Sequence, residues 1–165
     1  MRLAPIALVL SLAAAGAAHA GTVTVSFTNS PSHRFADAGA TPWEEQGNLQ
    51  SLARHLESLG QRYLPAQQTL KIEVLDVDLA GEMRLGKRPS VRELRVAKGS
   101  ADWPRITVRY TLESGGKVLR SAEETIADME YTHHISSYRA DEPLHYEKRM
   151  LDEWFRTRFG SPTGE

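Results

Sequence analysis

The stretch Thr69-Leu-Lys-Ile-Glu-Val-Leu-Asp-Val-Asp-Leu-Ala80 decides the fold, because its apolar residues follow the period of a long β-strand. The apolar residues lie first at even and then at odd positions, namely Leu70, Ile72 and Val74, followed by Leu75, Val77 and Leu79. Side chains alternate between the two faces of a strand, so this change of parity has two explanations. Either a β-bulge lies near Val74–Leu75, or both faces are partly covered, and we favour the bulge.

Further strand patterns lie on both sides of this stretch. Residues Thr22–Phe27 alternate apolar and polar side chains, which is typical of a half-buried strand. Residues Arg105–Glu113 show the same alternation, and a return strand is expected over Lys117–Asp128. Residues 81–102 are polar and irregular, with one short strand or helix at Val91–Val96.

The dipeptide Gly115-Gly116 predicts a hairpin turn between the last two strands. A three-residue loop gives the better apolar match, because it produces the following pairs: Ile106 with Ile126, Tyr110 with Ala122, and Arg109 with Glu123. A two-residue loop spoils that match, so the sequence favours the longer loop.

Two segments have the period of an amphipathic helix. In Trp43–Tyr63 the apolar stripe consists of Leu49, Leu52, Ala53, Leu56 and Leu59. Gly60 is placed to end this helix, and Pro65 prevents it from resuming. In the second helix, Leu144–Phe159, one side carries Leu144, Leu151, Trp154, Phe155 and Phe159.

The order strand, helix, several strands, helix predicts an α+β fold. We expect a two-layer sandwich whose mainly antiparallel sheet has four or five strands and carries both helices on one face. No internal repeat or low-complexity linker interrupts the chain, so residues 21–165 are predicted to form a single domain.

Residues 1–20 have the features of a cleavable secretory signal peptide. Met1-Arg2 is positively charged, Leu3–Ala18 is small and apolar, and Ala18-His19-Ala20 fits a cleavage site after Ala20. The apolar run is too short to remain as a membrane anchor, which needs roughly 20 apolar residues. We therefore expect export to the periplasm and a mature protein that is soluble and not membrane-anchored.

Composition excludes several classes of site. Residues 21–165 contain 19 basic and 21 acidic residues, a formal charge of −2, which gives no overall attraction to nucleic acid. The chain has no cysteine, so disulfides, thiolate metal sites and cysteine nucleophiles are excluded. No glycine-rich phosphate loop, dinucleotide fingerprint or G-x-S-x-G motif is present, and we expect no cofactor.

One group of residues has the chemistry of metal ligands, which are carboxylate and imidazole. It comprises Asp76 and Asp78, which share a strand face, and His133, His134 and His145, which lie before and at the start of the last helix. If the fold brings them together, they would form an ion site or a small metal-dependent hydrolase. The alternative is an exposed strand face and a solvated polar loop.

Three charged residues are predicted on apolar faces. Helical projection places Glu147 within the apolar arc of the last helix, and Arg158 shares that face. Strand alternation places Glu124 with Ala122 and Ile126. A buried carboxylate needs a partner or becomes neutral. For Glu147 we favour a structural ion pair with an arginine of the sheet over a functional carboxylate in a groove.

The polar segment 81–102 is basic. It contains six basic and three acidic residues, a local charge of +3, and the candidate binding residues are Arg84, Lys87, Arg88 and Arg92. Lipid head groups and acidic polysaccharides are abundant anions of a cell envelope, so this segment predicts a docking surface. The alternative is a solvated loop.

Three stretches, 63–82, 103–112 and 142–155, together resemble a bacterial family of exported proteins known as domain of unknown function 3016. The most specific parts are the runs L-D-V-D-L-A-G, at 75–81, and Y-E-K-R-M-L-D-x-W-F, at 146–155. The resemblance implies a one-domain envelope protein of Gram-negative bacteria. It implies no activity, ligand or catalytic residue.

Two functions therefore remain open. The favoured one is a non-enzymatic module that binds an envelope protein or an anionic envelope component. The alternative is the hydrolase or ion-binding protein that uses Asp76, Asp78 and the His133–His145 region. The first predicts an apolar or basic surface near residues 81–102. The second predicts a concave pocket where carboxylates and histidines with shifted pKa values converge.

Overall fold

The computed structural model describes residues 21–28, 35–85, 93–98 and 101–160. The predicted signal peptide, residues 1–20, lies outside these ranges. In chain order the elements are β1 (Thr22–Phe27), α1 (Pro42–Tyr63), β2 (Gln68–Asp78), β3 (Glu82–Leu85), β4 (Glu93–Val96), β5 (Arg105–Ser114), β6 (Lys117–Ala127) and α2 (His145–Phe159). No helix in the described part of the chain is long and apolar enough to cross a membrane.

The main sheet has four strands in the order β1-β2-β5-β6. β1 runs parallel to β2, whereas the pairs β2–β5 and β5–β6 are antiparallel. Strands β3 and β4 form a separate antiparallel pair. β4 is the short strand expected within residues 91–96, whereas its partner β3 was not predicted. The predicted α+β class and the mainly antiparallel sheet are confirmed.

The change of parity in β2 is a β-bulge, as predicted. Val74 pairs with Val108 and Asp76 pairs with Thr107, so Leu75 has no opposite residue in β5. Because the bulge shifts the register by one, Val74 and Val77 both point into the core, and each is at most 1% exposed. β2 therefore contributes buried side chains to the same core before and after the bulge.

The β5–β6 hairpin has the predicted pairs but a different turn. Ile106 pairs with Ile126, Tyr110 with Ala122, and Arg109 with Glu123. The predicted three-residue loop is wrong, because Ser114 pairs with Lys117 across Gly115-Gly116, whose φ angles of 54° and 77° suit a tight two-residue turn. The register shifts after Glu113–Val118, and Leu119 is the extra residue that restores the apolar match.

Helix α1 begins at a capping residue and continues beyond its predicted end. The Thr41 side chain accepts a hydrogen bond from the Glu44 N–H, and proline occupies the first helical position. Gly60 does not end the helix, which continues to Tyr63. A Cβ on Gly60 would lie 2.1 Å from Val23 Cγ2, so this glycine allows close packing of α1 on β1.

The core lies between one face of the sheet and the two helices. Both helices and all four strands contribute, and the most enclosed large side chains include Leu52, Leu56, Leu70, Ile72, Ile106, Tyr110, Leu151 and Phe155. The opposite face of the sheet is polar and carries ion pairs such as Arg109 with Glu73 and Glu123. The two-layer arrangement therefore agrees with the alternation in the sequence.

Candidate functional site

The carboxyl group of Glu147 lies inside the molecule, at the start of α2. Glu147 is 3% exposed, and it is the only buried charged residue within the described ranges. Its Oε1 accepts a hydrogen bond of 2.7 Å from the backbone N–H of Ala80, in the corner that follows β2. The two specific runs of the family resemblance, residues 75–81 and 146–155, therefore meet at this hydrogen bond.

The surroundings of Glu147 favour its neutral form. Burial raises the pKa of its carboxyl group above the ordinary value, and this effect outweighs the opposing effects of the Ala80 and Glu147 N–H groups, Arg95 and His145. Helix α2 has no side-chain cap, because Leu144 takes that position with φ of 59°. Glu147 lies in the first turn, where the helix dipole also favours a carboxylate. A neutral carboxyl group can both donate and accept a hydrogen bond.

A cavity of about 410 Å³ opens beside Glu147. It lies between the start of α2, the corner after β2, strand β4 and the first half of α1. Its polar lining residues are Glu44, Asn48, Arg95, His145 and Glu147. Leu79, Ala80, Ala97, Pro143, Leu144 and Tyr146 complete the wall. The cavity thus joins the predicted buried carboxyl to the base of the basic segment.

Arg95 links the β3–β4 hairpin to the body of the domain. Its Nη1 lies 2.9 Å from the Gly81 carbonyl oxygen and 3.3–3.4 Å from those of Leu79 and Ala80. Its Nη2 donates to Asp37 at 2.7 Å. Backbone hydrogen bonds in turn join Asp37 to Val77 and Leu79 beside the end of β2. A planar guanidinium group is suited to bridging several acceptors, so Arg95 fixes the hairpin at its base.

The four candidate binding residues fall in the sequence of this hairpin, between residues 84 and 92. Arg84 belongs to β3, whereas Lys87, Arg88 and Arg92 lie outside the described residues. Pairing of Glu82 with Val96 and of Leu85 with Glu93 makes residues 86–92 the connection between two strands. We call residues 82–96 the basic hairpin.

The five candidate metal ligands do not come together in the structure. Asp76 accepts a hydrogen bond from Ala36 N–H at 2.9 Å, and Asp78 forms an ion pair with Arg105. His145 Nδ1 lies 3.0 Å from the Glu142 carbonyl oxygen. Among the described residues, no group of three or more histidines and carboxylates is arranged to hold a metal ion.

His133 and His134 lie in the loop after β6. His133 is exposed, and its backbone N–H donates to Glu130. His134 Nε2 lies 3.4 Å from Asp128, whose carboxylate also forms an ion pair with Arg149. Arg149, Asp128 and His134 line a second concavity of about 520 Å³ between the end of β6 and α2.

Glu124 and Arg158 form an ion pair with each other, at 2.9 Å, rather than with Glu147. Glu124 also accepts hydrogen bonds from Tyr110 Oη and Trp154 Nε1, each at 3.0 Å. Burial opposes its ionisation, but these hydrogen bonds outweigh burial and lower the pKa of the carboxyl group. Glu124 therefore ties the edge of the sheet to α2.

His55, Tyr138 and Asp152 form a polar cluster that no local sequence pattern predicts. His55 Nε2 of α1 lies 2.9 Å from Asp152 Oδ1 and 3.2 Å from the Lys148 carbonyl oxygen, so this nitrogen carries the proton. Tyr138 Oη donates to Asp152 Oδ2 at 2.6 Å. Burial raises the pKa of Asp152, but the hydrogen bonds from His55 and Tyr138 reverse the shift and lower it. The cluster joins the two helices.

A comparison with curated proteins gives no match, and neither does one with solved structures. A family model with the description "Protein of unknown function (DUF3016)" matches residues 21–157. The match includes every strand, α1 and most of α2, with both residues of the Ala80–Glu147 hydrogen bond. The resemblance found in the sequence is thereby confirmed, and the chain belongs to the DUF3016 family of proteins of unknown function.

Proposed function

We propose that the chain is an exported, non-enzymatic binding module of the bacterial envelope that docks on anionic envelope components through its basic hairpin. The observation that carries the proposal is the attachment of this hairpin by Arg95. That side chain is held by Asp37 and by the corner after β2, at 2.7–3.4 Å. Arg95 thereby anchors one of the two strands that flank the basic residues, and positioning part of a binding segment in advance reduces the entropy lost on binding.

The distribution of charge supports an anionic partner. The basic hairpin contains five basic and two acidic residues, a formal charge of +3. The remainder of residues 21–165 contains 14 basic and 19 acidic residues, a formal charge of −5. An anionic surface attracts the hairpin and repels the rest of the domain, so the asymmetry also orients the molecule.

Export is the second part of the proposal. It is supported by the charged start, apolar middle and small-residue end of residues 1–20. The family match begins at residue 21, immediately after the expected cleavage site at Ala20. Processing by signal peptidase would be tested by N-terminal sequencing of the protein from a periplasmic extract. A mature chain that retains residues 1–20 would contradict export by this route.

The docking experiment compares the purified protein with the fourfold variant Arg84→Ala, Lys87→Ala, Arg88→Ala, Arg92→Ala. Cosedimentation with phosphatidylglycerol vesicles, with phosphatidylcholine vesicles and with alginate beads would be measured across a salt series. Each basic residue near an anionic surface contributes about 1 kcal/mol, so we expect the variant to lose roughly 100-fold or more in affinity. Salt should weaken binding by the unchanged protein.

A matched control removes the same charge elsewhere, at the exposed residues Arg54, Arg62, Lys117 and Arg139. This control should retain at least most of the binding, because orientation depends on the basic hairpin. Binding to vesicles but not alginate would identify lipid head groups, and the reverse would identify acidic polysaccharide. Binding to neither, or equal loss in both variants, would overturn the proposal.

A further inference from the structure

Strand β6 is an edge strand with an available outer side. It ends the order β1-β2-β5-β6, and no described strand pairs with its outer side. It runs for 11 residues, which is longer than most strands. Near the turn, Val118 and Leu119 are 61% and 56% exposed. An edge of this length with exposed apolar residues can accept a further strand.

The charges of β6 are separated by sign. Lys117 and Arg120 lie in its first half, and Glu123 and Glu124 lie in its second half. Edges that carry charge of one sign repel a second copy of themselves. A strand with opposite signs at its two ends instead attracts an antiparallel copy, because each basic half faces an acidic half.

We propose that β6 pairs antiparallel with β6 of a second copy of this chain, about a two-fold axis at Ala122. In this register Arg120 lies opposite Glu124 of the second copy, and Ser121 lies opposite Glu123. Arg120 and Glu124 share the helix side of the sheet, since they pair with Leu112 and Val108 of β5. Symmetry repeats each pair twice and extends the sheet to eight strands.

Glu124 can accept the additional partner. Tyr110, Trp154 and Arg158 each donate a hydrogen bond to its carboxylate, and a carboxylate has about four acceptor positions. Arg120 is exposed, and its Nη1 reaches the Arg158 carbonyl oxygen at 3.3 Å. The guanidinium group already lies on the side of the sheet where the pairing requires it.

Sedimentation equilibrium of the purified protein would test the pairing over a wide concentration range. We expect a reversible dimer. Ser121→Arg should strengthen it and Ser121→Glu should weaken it, each by up to roughly tenfold in dissociation constant, because residue 121 faces Glu123 twice. The control pair Thr125→Arg and Thr125→Glu should show no comparable dependence on sign. A protein that stays monomeric at the highest concentration would overturn the proposal.

Cross-linking tests the register itself. The chain has no cysteine, so Ala122→Cys introduces a single thiol. On the two-fold axis the two Cβ atoms would lie about 4.5–5.5 Å apart, close enough for a disulfide after a small adjustment. Mild oxidation should convert this variant to a covalent dimer, whereas Thr125→Cys should react much more slowly. Equal rates for the two variants would contradict pairing about Ala122.

Discussion

Because its carboxyl group is buried, Glu147 should make the stability of the fold depend on pH. Because burial raises its pKa, the folded state holds the proton at pH values where the unfolded state has released it. Stability from this group is therefore greatest below the ordinary glutamate pKa and declines as pH rises through the folded value. At neutral pH the group therefore stabilises the fold less than it does in acid.

Two substitutions of Glu147 should separate its charge from its hydrogen bond. Glu147→Gln can still accept from Ala80 N–H, so it should match or exceed the unchanged protein in stability at neutral pH and show a flatter profile. Glu147→Ala should lower the free energy of unfolding by about 1–3 kcal/mol, because the Ala80 N–H loses its acceptor. Chemical denaturation between pH 4 and 8 would measure both.

The exposed variant Glu57→Gln on α1 serves as the control and should change stability little. If Glu147→Gln were as destabilising as Glu147→Ala at neutral pH, and less so in acid, the charged form would be the stabilising one. That result would favour the structural ion pair with an arginine over the neutral carboxyl.

Single residues show the limit of sequence reasoning at this scale. Periodicity places Glu147 on the apolar face because neighbouring turns of one helix determine that face. Its hydrogen-bond partner lies 67 positions away in the corner after β2, and no local pattern encodes such a contact. His55 and Asp152 are 97 positions apart and lie on different helices, so their contact requires the packed fold.

Helix α1 contains two glycines with opposite roles. Gly60→Ala would place a Cβ 2.1 Å from Val23 Cγ2, and we expect a loss of about 1–3 kcal/mol from overpacking against β1. Gly47 has no atom within 4 Å of the added Cβ, so Gly47→Ala should stabilise the protein by about 0.5–1 kcal/mol. Thermal unfolding of both variants would show shifts of opposite sign. A stabilised Gly60→Ala protein would contradict the close packing of α1 on β1.

The elements themselves follow closely from periodicity, and their ends do not. Alternation in β2 leaves a bulge or two partly covered faces as explanations, and the favoured bulge is confirmed, because a shift of one position keeps the apolar residues on one core face. Alternation also predicts the register of β5 and β6, since apolar partners must share a side. The turn is shorter than predicted. The unpaired residue Leu119 shifts the register of β6 by one position, which gives the same pairs as a three-residue loop would.

Across the whole molecule, several carboxylates respond to acid in the direction opposite to Glu147. Hydrogen bonds with cations or other donors lower the pKa values of Glu124, Asp152 and Glu153. Such a group stabilises the fold fully above its ordinary pKa, and this contribution is lost as pH falls through the depressed value. Stability should therefore decline toward acid pH as these groups become protonated.

Asp152 gives the sharpest test of this acid response, because it joins α1 to α2 through His55 and is reached by Tyr138 Oη at 2.6 Å. Asp152→Asn should lower the free energy of unfolding by about 1–2 kcal/mol at neutral pH. It should also flatten the decline below the ordinary aspartate pKa, because the variant has no proton to bind at this position. The exposed Asp141 forms a surface ion pair with Arg139, two residues before it, so Asp141→Asn should change the stability and the slope little. Urea denaturation as a function of pH would measure the stability of both variants. If Asp152→Asn left the acid slope unchanged, the contact between α1 and α2 at Asp152 would not govern acid unfolding.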